Sequence, residues 1–256
     1  MFFHYQSITI YYEKYGSSKQ SIIILPGWGD TRNTFNFLIQ HLKTKYTIYI
    51  VDYPGFGRSP IPNTTLSIND YGELFYNFLD SLSVSKPIII AHSFGGRITS
   101  LLLGKYHYPI KKIILFDVAG IKRRKSFKVF FKEKIYKLLK KISSIFSLEK
   151  QTKWKDFLLL CFASSDYQSL PDSMRKTFKN IISEDLRKYY KQINCDTLII
   201  WGENDQDTIL KDAYYLRKHI INSELIIYHH ATHYSYLCYP ILTVKIIEEF
   251  LKENQV

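Results

Sequence analysis

Ser93 stands in the hexapeptide Ala91-His92-Ser93-Phe94-Gly95-Gly96. An apolar run, Pro87 to Ala91, enters it and a helical pattern, Arg97 to Gly104, leaves it. The serine therefore falls at a strand-to-helix turn. Such a turn strains the serine backbone and holds the hydroxyl clear of the sheet. Flanking residues must be small, because other backbone passes close by. The usual pattern is Gly-x-Ser-x-Gly, and Ala91 replaces its first glycine. The same hexapeptide also reads as a serine capping the following helix.

A serine hydroxyl is a weak nucleophile unless a base takes its proton. Of eight histidines, His233 is the candidate. It lies in His229-His230-Ala231-Thr232-His233-Tyr234, between a predicted strand and the last predicted helix, where a loop can reach over a sheet edge. His229 and His230 are rivals closer to the strand end. His92 adjoins the serine and is expected to point away from it. An imidazole base needs a carboxylate to set its tautomer. Asp205, in Trp201-Gly202-Glu203-Asn204-Asp205, is the candidate. Glu203 and Asp207 compete closely and Asp117 more distantly, and each also reads as a turn former.

Attack on a carbonyl also needs donors for the developing oxyanion. The glycines of Leu25-Pro26-Gly27-Trp28-Gly29 let the backbone turn its N–H groups inward, and the amides of Trp28 and Phe94 are the expected pair. An ordinary glycine turn is the alternative.

These residues need elements to position them. Phe2 to Gln6 and Ile8 to Tyr15 read as a hairpin-type edge. Ser21 to Leu25 is a continuous apolar run suited to a strand buried on both faces. Helices are predicted over Phe35 to Leu42, Asn69 to Leu82, Leu210 to His219 and Ile241 to Lys252. Further strands are predicted over Tyr46 to Val51, Lys112 to Phe116, Thr197 to Trp201 and Glu224 to Tyr228. The alternation implies a mostly parallel sheet with helices on both faces. It stops over 120–190, which reads as mainly helical. The expected organisation is an α/β core from 1–119 and 191–256, with 120–190 inserted as a helical cap over the carboxyl edge of the sheet, where open α/β sheets bind ligands.

Composition narrows the alternatives. The chain has 256 residues, enough for one such domain with an insertion. Cys161, Cys195 and Cys238 form neither a disulfide framework nor a zinc-type spacing. Together with an N-terminus lacking a basic, apolar leader and the lack of a long apolar run, they give the expectation of a soluble cytoplasmic protein.

The net charge is +12, and residues 122–156 carry thirteen of the basic residues against three acidic ones. Phe127, Phe130, Phe131, Ile135, Leu138, Ile142 and Ile145 recur there at helical spacing, giving a basic amphipathic helix. It reads first as a cap helix with a solvated basic face. Peripheral contact with an anionic membrane and recognition of an acidic substrate are the other readings. Nucleic acid is not an expected partner, because no recognition fold accompanies the charge.

Taken together, Pro26-Gly27-Trp28-Gly29, Asp52-Tyr53-Pro54-Gly55-Phe56-Gly57-Arg58-Ser59, Ala91-His92-Ser93-Phe94-Gly95-Gly96, Trp201-Gly202-Glu203-Asn204-Asp205 and Ala231-Thr232-His233 resemble the α/β-hydrolase superfamily, across nearly the whole chain. The order Ser93, Asp205, His233 is the order expected for that fold. The resemblance implies a serine hydrolase that cleaves a small-molecule carboxylic ester or related acyl compound through a covalent acyl-enzyme, with no metal or organic cofactor. Serine at position 93 argues against the dehalogenase and epoxide-hydrolase branches, which use aspartate there. Carbon–carbon bond hydrolases of the superfamily usually place tryptophan after the catalytic histidine, where this chain has Tyr234. Cleavage of a carbon–carbon bond in a vinylogous diketone acid remains an alternative, as does a non-catalytic ligand-binding protein on the same fold. Arg97 could hold a substrate carboxylate, but its helical position favours a structural role.

Overall fold

The computed structural model describes residues 1–122, 167 and 170–252. Among them eight strands form one sheet: β1 (Phe2–Tyr5), β2 (Ile8–Tyr15), β3 (Ser21–Leu25), β4 (Thr47–Asp52), β5 (Ile88–His92), β6 (Lys112–Phe116), β7 (Asp196–Gly202) and β8 (Ser223–Tyr228). Their spatial order is β1-β2-β4-β3-β5-β6-β7-β8. The β1–β2 hairpin joins β4 antiparallel, and every later pairing is parallel.

The isoleucine-rich runs explain why the parallel strands sit in the middle. Ile23, Leu25, Ile89, Ala91, Ile113, Leu115, Ile199 and Trp201 face one apolar core. Ile22, Ile24, Ile88, Ile90, Ile114, Phe116, Leu198 and Ile200 face the other. A strand with period two can be apolar throughout only when both faces are covered. Burying each isoleucine or leucine of these runs contributes about 1.5–3 kcal/mol relative to leaving it in water. Helices α1 (Asn36–Leu42) and α8 (Pro240–Leu251) supply side chains to the second core, whereas α2 (Ile68–Ser81) and α3 (Phe94–Gly104) supply the first. The start of α2 is set by a capping box between Ser67 and Asp70.

Helices α4 (Asp172–Ser183), α5 (Arg187–Tyr190), α6 (Leu210–His219) and α7 (Ser235–Cys238), with a short 3-10 helix over Arg32–Phe35, complete the described elements. The four residues of α7 had no signal in the sequence, being too short for a helical period to show. The described end of the 120–190 stretch is helical in α4 and α5. Its remainder, including Cys161 and nearly all of the basic 122–156 segment with its proposed cap and membrane roles, lies outside the described residues. Helix α4 and the residue after it are docked over the loops at the sheet edge. The Thr177 hydroxyl accepts the Leu66 amide at 3.0 Å, and Phe178 packs on Trp28 with ring centroids 5.6 Å apart. Met174 lies against Gly55, and the buried Arg97 of α3 donates to the carbonyls of Ile181 and Glu184. Arg97 is therefore a tether between helices. Among the described residues, no helix is long and apolar enough to cross a membrane.

Candidate active site

Because β3, β5, β6, β7 and β8 run parallel, their carboxyl ends share one edge. Ser93 follows β5 there with φ 46° and ψ −108°, a conformation L-residues rarely adopt. Neighbouring strands hold it in place. The Ser93 amide donates to the Phe116 carbonyl at 3.1 Å, and its own carbonyl accepts from Ala119 at 2.9 Å. Gly95 is required by close approach, since a Cβ there would lie 2.1 Å from the Leu25 carbonyl oxygen. The Ala91 methyl is fully buried without disturbing this turn.

His233 reaches the same point from the loop after β8. Its Nε2 lies 2.9 Å from Ser93 Oγ, and its Nδ1 lies 2.9 Å from Asp205 Oδ2. A serine hydroxyl donating to Nε2 requires the imidazole hydrogen on Nδ1, which is the form the Asp205 carboxylate favours. Asp205, 2% exposed, also accepts the amides of Asp207 and Thr208 at 2.8 and 3.0 Å. The Thr208 hydroxyl lies 2.6 Å from Asp205 Oδ2. Trp201 in turn donates its indole N–H to the Thr208 carbonyl at 2.7 Å, which fixes this loop. Asp205 is thus both a turn former and the carboxylate bonded to the histidine.

The electrostatics follow from this arrangement. Burial alone would lower the His233 pKa, but the hydrogen bond and charge of Asp205, aided by Asp117 and Asp207, raise it above the ordinary imidazole value. Burial would likewise raise Asp205, yet the bonds from His233 and Thr208 bring it below the usual carboxylate range. Asp117, fully buried, is pushed up to about 7 by burial, against the hydrogen bonds it accepts from Ser235 and Gly202.

The other candidates lie elsewhere. Glu203 is exposed and sits against His229 Nδ1 and the His230 amide. His92 does not touch Ser93; its partners are Asp30 and the His233 carbonyl. Trp28 follows the turn after β3, and Phe94 opens α3, so that the two rings meet edge to face at 4.9 Å. Among the described residues, neither main-chain N–H donates to another group. The N-terminus of α3 adds its positive dipole end beside Ser93. Asp205, Asp207 and His233 each bring one ligand atom within 4.8 Å of the others. Two of these atoms already bond each other, which is the arrangement of an acid–base pair.

Sequence reasoning missed Asp30, Thr208 and the inward role of Asp117. Thr208 had a weak signal, since an aspartate followed two and three residues later by free amides forms a side-chain turn. Asp30 had none, because its partner is 62 residues away.

Residues 20–238 match the family model described as alpha/beta hydrolase fold, and the chain belongs to that family, which is one of hydrolytic enzymes. It is 23% identical over 256 residues to the pimeloyl-acyl-carrier-protein methyl ester esterase of Legionella pneumophila (strain Corby), an alignment covering 96% of this chain and 100% of that protein. With the protein of the same name from Wigglesworthia glossinidia brevipalpis it shares 27% identity over 262 residues, covering 93% and 96%. Its fold matches the crystal structure of an alpha/beta hydrolase enzyme from a Medee basin deep-sea metagenome library with TM-score 0.76 and 22% identity, over 100% of this chain and 98% of that one.

Proposed function

We propose that this hydrolase cleaves carboxylic esters, with Ser93 as nucleophile, His233 as general base and acid, and Asp205 as the group that orients and stabilises His233. One observation carries the reading. Ser93 Oγ, the His233 ring and the Asp205 carboxylate form a continuous chain with both links at 2.9 Å. His233 takes the Ser93 proton as Oγ bonds to the ester carbonyl carbon. The amides of Trp28 and Phe94 receive the oxyanion. Protonated His233 gives its proton to the departing alkoxide, leaving an acyl-enzyme. Water then attacks, returns a proton to His233 and releases the acid as Ser93 is restored.

Trp28 packs against the rings of Phe56, Phe94 and Phe178, an aromatic cluster that includes the residue after Ser93 and suits an apolar acyl or alcohol group. The cap assigned to 120–190 is proposed to complete the pocket. The relatives named above act on the methyl ester of a carrier-bound acyl chain, which makes methyl esters of acyl compounds the first substrates to test.

A fluorophosphonate probe provides the test. Labelling is expected on Ser93 and lost in Ser93→Ala, together with a roughly 10^6-fold fall in kcat on any ester the enzyme accepts. Labelling that persists in that variant refutes the assignment.

A further inference from the structure

His92 takes no part in the chain from Ser93 to Asp205, yet it is 1% exposed and engaged at both ring nitrogens. Its Nε2 lies 2.8 Å from the His233 carbonyl oxygen, and its Nδ1 lies 3.2 Å from Asp30 Oδ2. The other Asp30 oxygen accepts the Tyr234 hydroxyl at 3.1 Å. These residues come from three places: the turn after β3, the end of β5 and the loop after β8. The turn is moulded to the pair. A Cβ on Gly27 would fall 2.6 Å from Asp30 Oδ2 and 2.8 Å from His92 Nδ1, so the residue before Trp28 has no room for a side chain.

Counting protons sharpens the picture. A carbonyl oxygen only accepts, so His92 Nε2 carries a hydrogen. In a neutral imidazole Nδ1 would then be bare, and an ionised carboxylate facing it would set lone pair against lone pair. The contact is a hydrogen bond when one more proton sits between them, on Nδ1 or on the Asp30 carboxyl. In both cases the pair is neutral overall. It therefore adds no net charge beside the His233 ring, whose centroid lies 4.9 Å from that of His92.

We propose that His92 and Asp30, holding one shared proton, are positioning residues that lock the His233 loop to the Trp28 turn. The proposed base and the proposed oxyanion donors then keep a fixed separation around Ser93. This rests on the reading of Ser93 as nucleophile.

The experiment has two arms. In the first, His92→Ala and Asp30→Ala are expected to slow fluorophosphonate labelling and to lower kcat on an aryl ester by about 10- to 100-fold, with KM changed far less. In Asp30→Asn the amide N–H donates to a neutral Nδ1 while the amide oxygen still accepts from Tyr234, so most of the lost rate should return. Wild-type kcat in His92→Ala, or an Asp30→Asn variant as slow as Asp30→Ala, overturns the positioning role. The second arm needs no variant that might fail to fold. Nitrogen-15 shifts of His92 and the carboxyl carbon-13 shift of Asp30 in the wild-type protein at neutral pH should reveal the extra proton on one of the two groups. A bare Nδ1 beside an ionised Asp30 overturns the shared proton. Labelling that survives Ser93→Ala sinks the nucleophile reading instead, so the two failures are told apart.

Discussion

Asp117 and Asp205 follow neighbouring strands at the same sheet edge, and their carboxylates are held by different donors. Asp205 accepts Nδ1 of His233 at 2.9 Å. Asp117 instead accepts the Gly202 amide at 2.8 Å and the amide and hydroxyl of Ser235. One carboxylate meets the imidazole, and the other braces the backbone on both sides of it. Substitution should separate these roles. Asp205→Asn is expected to reduce kcat/KM by about 10^4-fold, because the amide no longer favours the tautomer that accepts from Ser93. The acid limb of the pH–rate profile should also move to lower pH, since Asp205 is what raises the His233 pKa. Steady-state kinetics across pH checks both.

Asp117 should show itself in stability. Its pKa is raised by burial from the ordinary carboxylate range to about 7 in the folded chain. A carboxyl with a raised folded pKa binds its proton more tightly when folded. Its contribution is therefore fully present below the unfolded value and is lost as pH rises towards about 7. Asp117→Asn removes this dependence. The difference in Tm between variant and wild type should shift in favour of the variant on going from acid to mildly alkaline pH, as read by thermal denaturation. A difference that does not change with pH would contradict the burial argument.

The turn at Ser93 makes opposite demands on its two small neighbours. Gly95→Ala places a Cβ 2.1 Å from the Leu25 carbonyl oxygen, which is backbone and cannot swing away. A loss of about 3 kcal/mol or more, or failure to fold, is expected. Ala91→Gly restores the commoner pattern and should cost only about 0.5–1 kcal/mol, the price of glycine in a strand. Chemical denaturation distinguishes the two.

Arg97 offers a test of how α4 is held. Its guanidinium donates to the carbonyls of Ile181 and Glu184, at 2.9 and 3.2 Å. Arg97→Ala should destabilise the protein by about 3 kcal/mol, the scale of losing charge-assisted hydrogen bonds. Limited proteolysis should also find new cleavage between 172 and 184. An unchanged digestion pattern would mean that Phe178 and Thr177 suffice to dock the helix.

What the amino-acid sequence settles by itself is local. The run Ile22-Ile23-Ile24-Leu25 suits a strand covered on both faces, and that is what it forms. Ala91-His92-Ser93-Phe94-Gly95-Gly96 demands a tight turn with little room beside it. Both conclusions depend on neighbouring residues, whose sterics and burial are written in a few adjacent letters. The choice among Glu203, Asp205 and Asp207, or among His229, His230 and His233, is of another kind. All lie in the right loops, and only the parallel register of β5, β6, β7 and β8 selects which side chains arrive within 3 Å of one another. The same register brings His92 to Asp30 and to the His233 carbonyl, across 62 and 141 residues of chain. Hydrogen bonds between such distant positions leave no periodic trace, because each partner is constrained by the sheet and not by its neighbours in sequence. Reading along the chain thus names Ser93, Asp205 and His233 as candidates, whereas the 2.9 Å links between them, and the placing of Asp30 and Thr208 around them, arise only when the strands lie side by side.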